Sequence, residues 1–122
     1  MARITGVGGI FFKSPDPKAL SAWYSDVLGL KMEDWGGAML MPDPLSPPML
    51  VLSPFAQDTT HFAPSTRDFM INFGVDDLDA YIALLAGKGV QILKREEAAG
   101  QGRFAWIMDP DGNKIELWEP ER

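Results

Sequence analysis

The sequence predicts an α+β fold built from two copies of one strand–helix–strand–strand–strand unit. Three observations carry that expectation. The same element order occurs twice, about sixty residues apart. Ile10, Phe12, Asp16 and Ala19 of the first copy match Ile71, Phe73, Asp77 and Ala80 of the second in a single register, and such self-similarity argues for duplication. Each copy ends in short, turn-separated apolar segments. A few short strands cannot bury a sheet alone, so the copies must share a core or pair with a second chain.

The first copy opens with strand-like Gly9-Ile10-Phe11-Phe12-Lys13, then Ser14-Pro15-Asp16-Pro17. Asp16 suits a helix N-cap and Pro17 the first helical position. Ala19, Leu20, Trp23, Tyr24, Val27 and Leu28 then fall at helical spacing until Gly29 stops the pattern. Leu30–Glu33, Ala38–Met41 and Met49–Leu52 are the three strands that follow. Pro42, Pro44, Pro47 and Pro48 make the loop before Met49 irregular, a flap over a cavity.

Polar residues 56–68, with Pro64, form the linker. The chain is thus one domain over 1–122, divided into modules 1–55 and 69–122. In the second module, Met70–Val75 is the strand and Asp76 or Asp77 the cap. Leu78, Tyr81, Ile82, Leu84 and Leu85 form the apolar stripe, ended by Gly87-Lys88-Gly89. Val90–Leu93, Phe104–Met108 and Lys114–Trp118 complete the repeat.

Composition narrows the function. At 122 residues and 46% apolar, the chain fits one globular domain. The absence of Cys excludes disulfides, thiolate metal sites and a Cys nucleophile. The net charge of -6, with scattered Lys and Arg, leaves no basic face for a phosphate backbone, so nucleic acid is disfavoured. No apolar run reaches the roughly 18 residues of a membrane helix. Met1-Ala2-Arg3-Ile4-Thr5 lacks a signal-peptide apolar region, which makes the cytoplasm the default.

The stretch from Gly102 to Trp118 is the richest in chemistry. Asp109-Pro110-Asp111-Gly112-Asn113 is a tight turn between two strands. Beyond it Ile115 and Leu117 alternate with Glu116 and Trp118, so a carboxylate and an indole share one strand face. A mid-strand Glu between Ile and Leu is costly unless its face meets a cavity, a metal or a partner.

With these residues in view, the chain resembles the vicinal oxygen chelate superfamily, which includes glyoxalase I and the bleomycin-resistance proteins, fosfomycin-resistance proteins and extradiol dioxygenases. The likeness rests on Asp16-Pro17, Trp23 to Leu30, Val75 to Ala80, Asp109 to Asn113 and Ile115-Glu116-Leu117. It implies two βαβββ modules forming a curled, cup-shaped mixed sheet with flanking helices, and a homodimer. Metal-dependent members place a His or Gln on the first strand, a His on the fifth and a Glu on the eighth; glyoxalase I adds a Glu on the fourth. The corresponding residues here are Gly9, Met70 and Glu116, and Met49–Leu52 contains no carboxylate. One oxygen ligand cannot hold a divalent ion against water. No cofactor is therefore expected, and a divalent metal is disfavoured, with Glu116 its sole ligand if one binds. The lone His61 falls in the linker and is read as an exposed side chain.

The resemblance also points Phe11 and Lys13 (first strand), Met70 and Asn72 (fifth), Phe104 and Trp106 (seventh) and Trp118 (eighth) into the cup beside Glu116. For each aromatic, core packing competes with ligand contact. Glu116 has three readings: a relic hydrogen-bonded to Asn72 or Arg103, a holder of a cationic or donor ligand, or a general base. Arg103 follows a flexible Gly-Gln-Gly approach and either clamps a substrate or pairs with Glu96 or Glu97. Lys13 snorkels or points inward, and Trp35 closes the other side of the cup or packs on an edge.

Two function classes follow. One is a metal-free protein of the bleomycin-resistance kind that binds an aromatic or cationic small molecule in the cup. The alternative is a glyoxalase-like lyase or isomerase, or a fosfomycin-resistance-like transferase, using Glu116 as its catalytic group.

Overall fold

Helix α1 (Pro17–Asp26) opens the ordered elements of this computed structural model, which describes residues 2–4 and 7–121. Met1 and Thr5 of the N-terminal segment lie outside the described residues. Asp16 caps α1 as expected, its carboxylate accepting from the Ala19 amide at 3.1 Å. Gly29 then takes φ 82, a left-handed conformation that favours Gly.

After the linker come β1 (Ile71–Gly74), α2 (Leu78–Gly87), β2 (Lys94–Ala98), β3 (Gly102–Met108) and β4 (Lys114–Pro120). Asp77 rather than Asp76 caps α2, accepting from Ala80 N at 3.1 Å. The strands form one mixed sheet in the order β1-β4-β3-β2, with β1 parallel to β4 and the other pairs antiparallel.

Period-two alternation sorts the sheet into two faces. Ile71, Ala105, Ile107, Ile115 and Leu117 are buried on one, joined in the core by Leu20, Tyr24 and Leu28 from the α1 region and by Leu78 and Leu85 of α2. The helix of the first module thus helps to cover the sheet of the second. A clamp joins helix and turn: Tyr24 Oη donates to Asp109 Oδ2 at 2.8 Å. Asp109 also accepts from the Asp111 and Asn113 amides and from Asn113 Nδ2. Burial and the adjacent Asp109 push the Tyr24 phenol far above its usual range.

Two expectations need correction. The sequence puts the sixth-strand segment at Val90–Leu93, but β2 begins at Lys94, and Val90 and Ile92 pack instead against the core. An edge strand paired on one side can be as polar as Lys-Arg-Glu-Glu, which hides it from hydrophobic periodicity.

The first module departs further. Among the described residues, Gly9–Lys13, Leu30–Glu33, Ala38–Met41 and Met49–Leu52 form no strand, and the only pairing outside the sheet is a bridge between Met32 and Ala38. Their short apolar runs suit strands, but a ladder needs a neighbouring strand. The prolines at 42, 44, 47 and 48 also remove donors. Phe11 and Leu52 are left 93% and 86% exposed.

Candidate functional site

The sheet face opposite the helices brings chemistry-bearing side chains together in rows. Register places Asn72, Glu116, Trp106 and Lys94 side by side across β1, β4, β3 and β2. The next row is Gly74, Trp118, Phe104 and Glu96.

In the first row Glu116 is held from both sides. Asn72 Nδ2 donates to Oε1 at 2.7 Å, and Trp106 Nε1 donates to Oε2 at 2.9 Å. The relic-type contact to Asn72 therefore forms, whereas Arg103 points to the other face. The second row extends an aromatic ladder. Phe104 stacks at 6.1 Å with Trp106 (13° between planes) and at 6.1 Å with Trp118 (4°). Trp106 is 5% exposed, covered by other side chains, whereas Phe104 and Trp118 are half-buried, so those two rings are the ones a ligand can reach.

His61, expected as an exposed linker side chain, keeps a side chain 39% exposed but reaches the site. Its Nε2 lies 3.5 Å from Glu116 Oε2. The imidazole stacks on Phe55 at 5.4 Å and meets Trp106 edge-on at 5.9 Å. Lys114 fastens it, Nζ donating to the His61 carbonyl at 2.6 Å while lying 5.7 Å from the Trp106 ring centre. Burial lowers the Lys114 pKa, with Glu116 opposing the shift and Lys94 adding to it. Lys114 was missed in the sequence, although its alternation with Glu116 and Trp118 puts it on the same face. Nothing local to residues 56–68 places His61 there.

The proline loop also reaches this face. Pro47 lies where a side chain on Gly74 would be, so the absent Cβ makes room for the loop.

Of the other expected residues, Met70 is half-buried just before β1. Phe11 and Lys13 are exposed, and Phe11 folds back against Gly9. Trp35 is 69% exposed and packs beside Gly37. Arg103 sits on the helix-side face, paired with Glu97 at 3.1 Å and Asp79 at 3.0 Å. Asp79 also pairs with Arg95, and these two arginines hold its carboxyl below the usual range. The structure therefore gathers Asn72, Phe104, Trp106, Glu116 and Trp118 and leaves Phe11, Lys13, Trp35 and Arg103 apart.

Residues 9–118 match the family model of a glyoxalase-like domain. The chain belongs to that family. The glyoxalase-like domain also matches three crystal structures over most of its length, each at TM-score 0.53. A member of the glyoxalase/bleomycin resistance protein/dioxygenase superfamily from Sphaerobacter thermophilus DSM 20745 is 24% identical, with 98% of each chain covered. TnmS3, an antibiotic binding protein from Streptomyces sp. CB03234, is 22% identical over 88% of each chain. Lactoylglutathione lyase from Agrobacterium tumefaciens is 21% identical over 85% of each. At these identities the likeness establishes the α+β fold. The first structures matched are covered over 42% to 47% of their own length, and no curated protein matches.

Glyoxalase chemistry in this family implies a divalent metal, and the donor set here does not fit one. Among the described residues no three His, Asp or Glu side chains converge. His61 and Glu116 form a pair, both Glu116 oxygens already accept hydrogen bonds, and such ions need three or more protein donors.

Proposed function

We propose that the glyoxalase-like domain is a small-molecule-binding protein that works without a divalent metal and lays an aromatic or cationic ligand on the Trp106–Phe104–Trp118 ladder beside Glu116. The ladder is the observation that carries this reading. Three near-parallel rings next to a carboxylate supply apolar area and one polar anchor, the usual composition of a ligand site. Membership of a family related to bleomycin-resistance proteins, and a fold shared with an antibiotic binding protein, support it.

Metal analysis of protein purified without chelator tests the metal-free part; a stoichiometric divalent ion overturns it. A thermal-shift screen of aromatic antibiotics, glutathione adducts and small carboxylic acids tests the binding part, because a ligand preferring the native state raises Tm. No stabilising compound, and no change in tryptophan fluorescence, counts against it.

His61 beside Glu116 favours a second reading, in which the pair moves a proton in a lyase, isomerase or transferase reaction. Glu116→Gln separates the two: an enzyme loses turnover, whereas a binder of neutral aromatics keeps its affinity within a few-fold.

We further infer a homodimer. Phe11, Met39, Leu40, Met41, Val51 and Leu52 are all at least 60% exposed, an apolar area that a second copy would cover. Light scattering that gives a monomer mass at micromolar concentration overturns this. Among the described residues no helix is long and apolar enough to cross a membrane, and we place the protein in the cytoplasm; fractionation of the native cell tests that.

A further inference from the structure

We propose that the ligand is a planar nitrogen heterocycle with a ring N–H, and that it takes the place now held by the His61 imidazole. The inference rests on the small-molecule reading of this face and names the part of the ligand that meets Glu116, a ring stacked on Phe55 and perpendicular to Trp106.

The imidazole already makes the contacts such a ring would need. It has an aromatic plate in Phe55, an aromatic edge in Trp106 and a carboxylate oxygen 3.5 Å from its Nε2. The Glu116 side chain is 14% exposed, and Trp106 and Asn72 each occupy one of its oxygens. A carboxylate this enclosed favours any further N–H brought to Oε2 and penalises a bare hydrocarbon that removes water without replacing its hydrogen bond.

His61 is built to be displaced. It belongs to no helix or strand, and its side chain is 39% exposed. The strap is pinned further along, where Ser65 Oγ donates to Gly112 O at 2.6 Å and Arg67 to Asp111 O at 3.0 Å. Lys114 grips the backbone carbonyl and not the ring. Rotation of the side chain therefore frees Oε2 while these fastenings hold. His61 acts as a tethered competitor, and an incoming ring binds only to the fraction of molecules with the imidazole swung away.

The test compares benzimidazole with benzofuran, a ring system of the same size that has no N–H, by calorimetry on the full chain. Wild type, His61→Ala and the double variant His61→Ala/Glu116→Gln are measured. Removing the competitor should tighten benzimidazole binding by about tenfold or more, with benzofuran changing less. Adding Glu116→Gln should bring the two compounds within about twofold. Near-ultraviolet circular dichroism checks folding, and His61→Gln serves in place of His61→Ala if the latter unfolds.

Equal benzimidazole affinity in wild type and the His61 variant overturns the inference, as does a His61 variant with no preference for benzimidazole over benzofuran. If benzofuran binds and perturbs tryptophan fluorescence in either of those cases, the binding function stands and only the heterocycle assignment falls. If neither compound binds wild type or variant, both fall.

Discussion

Tyr24 and Asp109 are 85 positions apart in the chain and one hydrogen bond apart in the fold, the phenol donating to Oδ2 at 2.8 Å. That bond ties the helix of the first module to the Asp-Pro-Asp-Gly-Asn turn of the second. Asp109 and Asn113 are among the most buried polar residues of the domain. Tyr24→Phe keeps the ring contacts with Trp23 and Phe73 and removes only the donor. Hydrogen bonds to charged acceptors contribute about 1.5–3 kcal/mol, so the unfolding free energy should fall by that amount, read as a lower urea midpoint with the slope unchanged. No shift in the midpoint would mean that the clamp is replaced by water at no cost.

Alkaline pH should unfold this domain through its two tyrosines, the only ones in the chain. Tyr24 is raised far above its usual value by burial and Asp109, and Tyr81, which donates to Leu28 O at 2.7 Å, is pushed up to about 12 by burial. Both pKa values are higher folded than unfolded. Their contribution is therefore complete below the unfolded value of about 10 and is lost as pH rises above it. Lys114 works in the opposite sense. Its lowered pKa is a cost to folding that is relieved as pH rises toward the unfolded Lys value. Two phenols against one ammonium give a net loss. Absorbance at 295 nm should show no phenolate until the circular dichroism signal collapses, and gradual titration from pH 10 in a folded protein would refute this.

Three of the four strands, β1, β3 and β4, were legible in the sequence because their signals are local, whereas the polar edge strand β2 was not. Alternation in Ile115-Glu116-Leu117-Trp118, the turn after Met108 and the cap at Asp77 each act within a few residues. The shared face of Glu116 and Trp118 followed from the same alternation, Phe104 and Trp106 were added by the family resemblance, and Glu116 stood out through the improbability of a mid-strand carboxylate. His61 was not legible, since its place depends on Lys114 and Phe55 closing from separate segments. The first-module strands failed for a related reason. A pattern of apolar residues specifies what a strand would bury but not whether a partner is present to pair with it.

Gly74 should prove intolerant of a side chain for a reason unconnected with backbone freedom. Strand φ/ψ suits Val there, but Pro47 occupies the space above its Cα. Gly74→Val should push the 43–48 loop off the ladder face. Overpacking of this kind costs about 1–3 kcal/mol. Hydrogen exchange at the Ser46 amide, now bonded to Asp43 O at 3.0 Å, should accelerate, whereas exchange in β3 should not. Unchanged Ser46 protection would show that the loop adapts without leaving the face.

Asn72→Asp tests how firmly the first row is set. The side chain keeps its size, but the donor 2.7 Å from Glu116 Oε1 becomes an acceptor. Two carboxylates at that spacing cannot both stay charged at low cost, so their joint proton affinity rises on folding. A raised folded pKa means stability that is present at low pH and lost as pH climbs through the coupled titration. The variant should lie close to wild type near pH 4 and fall about 1–3 kcal/mol below it at pH 7. Lys114 is a cation near enough to soften the repulsion. Adding Lys114→Met to Asn72→Asp should therefore widen the gap at pH 7 and leave it unchanged at pH 4. A pH-independent difference between Asn72→Asp and wild type would mean that Asp at position 72 turns to solvent and Glu116 stands on its bond to Trp106 alone.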